Sequence, residues 1–85
     1  MTHALKVWKE YYQSLVDGSK TFELRKHDRP FQVGDKLILQ EYNQIDSKYT
    51  GKEIEKTITY TLFNASIFGL KEGYCILGIK DIENY

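Results

Sequence analysis

The chain has one cysteine, Cys75, one proline, Pro30, and two histidines, His3 and His27, in 85 residues. A single thiol excludes an internal disulfide and any zinc site built from several cysteines. His3 and His27 lie far apart in sequence with no ligand cluster around either, so neither a metal nor a cofactor is expected. No apolar run reaches the roughly 18 residues that a membrane-spanning helix needs. The opening Met1-Thr2-His3-Ala4-Leu5-Lys6 lacks the apolar stretch of a signal peptide, and the expectation is a soluble, cytoplasmic protein. Excess charge is missing as well: 12 basic and 12 acidic side chains cancel. Indiscriminate gripping of long duplexes requires a basic surface, so that class of function is disfavoured, although a local basic patch is not. There is no Gly-rich phosphate loop and no Ser-His-Asp arrangement.

What is present is a globular composition, with 41% hydrophobic and 28% charged residues. Residues 1–85 make one small domain, able to hide about 60–65% of its unfolded surface around a single core. Seven Tyr, four Phe and one Trp give an aromatic fraction of 14%, and such rings fill a small core efficiently. Packing is the first reading for each of them, Trp8 included. Cys75 sits in the run Tyr74-Cys75-Ile76-Leu77 and reads as a small buried hydrophobe rather than a nucleophile.

The pattern along the chain predicts about five strands and one helix. A short strand over 5–8 leads into a helix over 9–17, where Trp8, Tyr11, Tyr12, Leu15 and Val16 recur at helical spacing. Gly18 suits the left-handed position that stops a helix. A strand follows over 20–26, with Phe22 and Leu24 on one face and Thr21, Glu23 and Arg25 on the other. His27-Asp28-Arg29-Pro30 is a charged turn, and Gln32-Val33-Gly34-Asp35 a tight one. Further strands are expected over 36–42, 53–62 and 74–80, with a polar loop over 43–52 that turns near Thr50-Gly51. Ile54, Ile58, Tyr60 and Leu62 would share a face. Residues 63–70 read as irregular with one helical turn, and 82–85 as a loose tail. The strands over 36–42 and 74–80 are apolar on both faces, and a sheet curled into a small barrel would cover both and remove its edges.

The most informative stretch is Gly18-Ser19-Lys20-Thr21-Phe22-Glu23-Leu24-Arg25. Glu23 and Arg25 are two apart and share a strand face, and Lys20 lies where helix gives way to strand. A carboxylate flanked by two cations suits the wall of a polar pocket better than a core. This G-x-K-x-x-E-x-R spacing resembles that of the ASCH (activating signal cointegrator homology) domain, a branch of the PUA-like superfamily. Val33-Gly34-Asp35 resembles the turn that follows it in that family. His3-Ala4-Leu5-Lys6, the segment Phe22 to Arg29, Phe68-Gly69 and Gly73-Tyr74 look like a compact, uncharacterised bacterial branch of the group. The resemblance implies a mostly β, α+β fold: a five- or six-stranded pseudo-barrel with one main helix near the N-terminus. It also implies a cleft between helix and barrel lined by the motif, and RNA or a nucleotide-like ligand as partner.

Chemically, Lys20 can offer a point charge to a phosphate, and the fork of Arg25 can hold a phosphate or a base edge in two contacts. Glu23 can accept from an exocyclic amine or hold Arg25. Lys26, His27 and Arg29 would extend a positive rim, and Tyr11, Tyr12 or Tyr42 could stack on an unpaired base. A second reading is a small amidohydrolase acting on a modified nucleoside such as an N4-acylcytidine. One ASCH branch looks like such enzymes, which use a Lys and a Thr from this motif and a distant carboxylate. Lys20 matches that Lys. Glu23 stands where the nucleophilic Thr falls, so Lys20, Thr21 and Glu23 are the catalytic candidates, with Glu72 as a possible second carboxylate. The remaining readings are a structural Glu23–Arg25 ion pair, and a protein-interaction module using the same cleft.

Overall fold

The computed structural model describes residues 1–82, so from residue 83 onward the expected loose tail lies outside the described residues. The chain runs β1 (Thr2–Trp8), α1 (Lys9–Val16), β2 (Phe22–Lys26), β3 (Lys36–Asn43), β4 (Lys48–Leu62), a 3-10 turn (Ser66–Phe68) and β5 (Tyr74–Asp81). The fold is mostly β. Its five strands form one curled mixed sheet, a half-barrel, in the order β1-β3-β4-β5-β2. β1 runs parallel to β3, and the remaining pairs are antiparallel.

Strand alternation builds the core. Leu5 and Val7 of β1, Leu37 and Leu39 of β3, Ile58 of β4, and Cys75, Leu77 and Ile79 of β5 all point inward and are buried. Phe31, and Tyr12 and Leu15 of α1, complete the cluster. The helix has eight residues and no side-chain cap at Trp8, too short to be stable alone. Burial of Tyr12 and Leu15 against β1 and β3 holds it. It stops where Gly18 takes φ 83°, a conformation that costs a side-chain-bearing residue about 1–2 kcal/mol. Beyond that turn the Lys20 N–H donates to the Ser14 carbonyl at 2.9 Å, which fixes where β2 starts.

Several expectations change. β1 begins at Thr2, because parallel pairing with β3 extends from Thr2↔Lys36 to Trp8↔Tyr42. Strand β4 begins at Lys48, where a polar loop was expected. The turn lies just before it, and Gly51 (φ 91°) sits in a bulge between Tyr42↔Tyr49 and Gln40↔Glu53. A second bulge, between Ile58 and Tyr60, turns Tyr60 outward, 65% exposed, instead of leaving it on the core face with Ile58. Val16 is exposed, and so is Trp8, at 49%. Trp8 falls on the outer alternation of β1 and is not a core residue.

The curl brings the two sheet edges, β1 and β2, towards each other without pairing them. Side chains bridge the seam. Arg25 Nη1 donates to the Lys6 carbonyl at 2.8 Å, and Arg29 Nη1 donates to the Ala4 carbonyl at 3.1 Å. Guanidinium groups thus bridge the open seam of the half-barrel where backbone pairing stops.

At the other edge of the core, the buried His3 ring lies 2.8 Å from an Asp35 carboxylate oxygen and stands edge-on to Phe31. The Gln32 N–H donates to the same carboxylate at 3.0 Å. The bond with His3 is the main force that lowers the Asp35 carboxyl to about 2, against the opposing effect of burial. A carboxyl whose pKa falls on folding stabilises the native state above its unfolded value near 3.9, and that contribution fades as the pH drops toward 2. Asp35→Ala is therefore expected to cost about 1.5–3 kcal/mol at pH 7. Urea unfolding at pH 7 and pH 2.5 should show the difference from wild type shrinking at the lower pH. An equal difference at both would disconnect the effect from the carboxylate's charge.

Candidate functional site

The unclosed seam between β1 and β2 is a cleft of about 540 Å³. Lys6, Val7 and Trp8 of β1 form one wall, and Phe22, Glu23, Leu24 and Arg25 of β2 the other. Tyr11 of α1 and Lys20, at the junction, close the helix end. The alternation of β2 holds as the sequence indicates, with an unusual sense. The polar residue Glu23 turns inward, 4% exposed, while Phe22 and Leu24 stand 46% and 52% exposed. Phe22, Leu24, Trp8 and Tyr11 thus give the cleft an apolar, partly aromatic rim around a buried carboxylate.

Two cations face that carboxylate. Lys20 Nζ is 3.4 Å from Glu23 Oε1, and Arg25 Nη1 is 3.6 Å from Oε2. Both contacts exceed the roughly 2.7–2.9 Å of a well-formed charge-assisted hydrogen bond. Lys20 Nζ also lies 4.9 Å from the Tyr11 ring centre and 5.4 Å from that of Phe22. Burial raises the Glu23 carboxyl above the usual range, and the charges of Lys20 and Arg25 pull against this without cancelling it. The site is thus an acceptor at the floor, two cations beside it, and flat hydrophobic faces above.

Not every expected residue reaches this cleft. Lys26, at the end of β2, is exposed and does not line the cleft. His27 stacks on Phe63, with ring centres 4.2 Å apart and planes within 5°. It lines a separate recess with Glu72, Asn64 and Tyr74, which removes both His27 and Glu72 from the Glu23 site. Thr21 is exposed ahead of β2, its carbonyl accepting from the Ile79 N–H, and it does not line the cleft. Among the described residues that line the cleft there is no serine, threonine or cysteine. Arg29 reaches the seam but serves the Ala4 carbonyl. Tyr12 packs into the core cluster and does not line this cleft; desolvation and the nearby Glu41 push its hydroxyl pKa up. Lys6, Val7, Trp8, Phe22 and Leu24 are cleft residues that the sequence reading missed; the one signal for them was a charged Lys6 between the apolar Leu5 and Val7, which marks the outer side of β1 that Trp8 shares. Cys75 is fully buried and burial pushes its thiol pKa up, as suits a packing residue. Among the described residues no group of three or more His, Cys, Asp or Glu could hold a metal ion, and no helix is long and apolar enough to cross a membrane.

The raised Glu23 pKa has a testable consequence for stability. Folding favours its protonated form, so its contribution is fully present below the unfolded value near 4.3 and is lost as the pH rises through the folded one. At pH 7 the ionised carboxylate works against folding. Glu23→Gln is expected to raise Tm at pH 7, with the gain gone at pH 4 and below. Thermal melts at the two pH values check this, and a lower Tm at pH 7 would mean that the cation contacts outweigh burial.

Comparison with known proteins places this architecture in a family. A family model described as a domain of unknown function, DUF3850, matches residues 2–79, which takes in all five strands but the last two residues of β5. The chain is also similar to an uncharacterised 12.9 kDa protein in the GpA 3′ region of Escherichia phage P2, at 37% identity over 57 residues. That match covers 67% of this chain and 50% of the phage protein, so the chain spans about half the length of the relative. With its seam, its buried carboxylate and nearly its whole length inside the matched region, the chain belongs to the DUF3850 family.

Proposed function

We propose that the seam cleft binds RNA or a nucleotide-like ligand by taking up an unpaired base. The observation that carries this reading is the pairing of a buried, under-bonded carboxylate with exposed aromatic faces. Glu23 has acceptor capacity left over, since its two cation contacts are long. A nucleobase presents what such a site lacks: a planar face for Trp8, Tyr11 or Phe22, and an N–H edge for the carboxylate. Carboxylates accept from the cytosine exocyclic amine in the same way in groove recognition. Lys20 and Arg25 flank the site and supply charge for a phosphate, the Arg through its planar fork. A net charge of zero fits a short single strand or one nucleotide better than a long duplex. The G-x-K-x-x-E-x-R resemblance to ASCH domains of the PUA-like superfamily supports the same reading and, with it, a kinship of the two groups.

Trp8 is the one tryptophan of the chain and lines the cleft, so its fluorescence reports occupancy. Titration with the four ribonucleoside 5′-monophosphates and with short single-stranded RNAs, at two salt concentrations, should give quenching that weakens as salt rises. Lys20→Ala is expected to weaken binding about tenfold or more; because it also removes a cation facing Glu23, Tm at pH 7 should fall as well. Glu23→Gln should lose the preference for bases carrying an exocyclic amine. No binding at low salt, or equal binding by a Lys20→Ala, Arg25→Ala double variant, removes the proposal. Incubation with N4-acetylcytidine belongs in the same experiment: product formation abolished by Lys20→Ala would replace a binding module with a hydrolase.

A further inference from the structure

We infer that the ligand is a single strand of at least two nucleotides, its second base stacking on Tyr49, beside Tyr42 and outside the cleft. This rests on the reading above and extends it across the outer face of the sheet. Lys6 connects the two places. It lines the cleft, and its ammonium group lies 4.1 Å from the Tyr42 ring centre and 5.9 Å from that of Tyr49.

The register puts these groups on one surface. Trp8 pairs with Tyr42 in the parallel β1–β3 ladder, and Tyr42 pairs with Tyr49 in the antiparallel β3–β4 ladder. All three lie on the outer alternation of their strands. Neighbouring strands are about 4.8 Å apart, so Tyr49 lies two strand spacings from Trp8 across the outer face. Tyr42 and Tyr49 meet edge to face, with centres 5.1 Å apart, and Tyr49 is 55% exposed. An aromatic ring left open beside a lysine offers a flat face on which a second base can stack. From cleft to hairpin the order is aromatic, cation, aromatic, the interleaving that non-paired nucleic acid requires. The carbonyl of the same Lys6 accepts from Arg25, so the backbone between the two subsites is fixed rather than free to swing.

The experiment compares three probes: a ribonucleoside 5′-monophosphate, the matching 5′-phosphorylated dinucleotide, and the same dinucleotide with an abasic second sugar. The dinucleotide should bind about tenfold or more tighter than the monophosphate. The abasic probe carries the added phosphate without the second base and should bind like the monophosphate. Tyr49→Ala should abolish the dinucleotide's advantage and leave monophosphate binding intact, while Tyr49→Phe, which keeps the ring, should retain it. A dinucleotide no tighter than the monophosphate, or an advantage that survives Tyr49→Ala, overturns this inference and leaves the single-base cleft standing. No binding of either probe overturns both.

Discussion

The organising constraint of this fold is a sheet that curls but does not close. Strands β1 and β2 are its two edges, and an ordinary barrel would pair them. Here Arg25 and Arg29 reach across and occupy the Lys6 and Ala4 carbonyls instead. Two long side chains satisfy what a strand partner would have satisfied, and they protect an edge that would otherwise invite another chain. They also hold the walls further apart than backbone pairing would. The cleft exists because of that added width. Arg25 therefore has two duties: it spans the seam through one contact and faces the Glu23 carboxylate through another. Architecture and candidate chemistry cannot be separated at this residue.

The buried carboxylates of the protein show how differently such groups can be used. Asp35 is tied by His3 at 2.8 Å and by the Gln32 N–H at 3.0 Å, and its pKa falls. Glu41 accepts from the Thr50 hydroxyl at 2.6 Å. Glu23 is as buried as either, yet burial outweighs its cations and its pKa rises. A group hidden for the sake of the fold is normally supplied with short partners, because leaving it short of them costs free energy. Glu23 is the exception, and it is the one of the three that opens onto the aromatic-rimmed cleft.

The strands were legible in the sequence because period-two alternation survives in a short chain with few breaks. The turn at Gln32-Val33-Gly34-Asp35 and the stop at Gly18 were legible through glycine. The bulges at Gly51 and before Tyr60 were not, since a bulge shifts the alternation by one residue and leaves no composition signal of its own. This is why Tyr60 emerges on the outer surface while Ile58 is buried. Trp8 was misread for a related reason: it is both the last residue of β1 and the residue that opens α1, and strand geometry rather than helical spacing decides its face. The Lys20, Glu23 and Arg25 grouping was legible from spacing alone. Lys26 and His27 follow it in sequence but not in space, because consecutive strand residues point to opposite sides and the chain leaves β2 at Lys26. The His3–Asp35 contact, 32 positions apart, depends on β1 lying parallel to β3, which no local pattern encodes.

These points converge on the sense of the β2 alternation. Had Phe22 and Leu24 faced inward, the half-barrel would have gained two large apolar side chains and Glu23 would have stood in water. Full burial of each would have been worth about 1.5–3 kcal/mol. The fold takes the reverse arrangement: both hydrophobes stay on the rim, and the carboxylate goes in. Register alone does not force this, because a one-residue slip of β2 against β5 exchanges the two faces. The pairing Glu23↔Leu77 and Arg25↔Cys75 is set by the turn at Gly18 and by the Lys20 N–H bond to the Ser14 carbonyl. It is held at the far end by the Arg25 and Arg29 bridges to β1. An arrangement that forgoes apolar burial and hides a charge is weak as a stability device. As a binding surface it is coherent: flat apolar faces are left accessible, and an acceptor is kept dry between two cations, where an incoming N–H donor would meet the least competition from water.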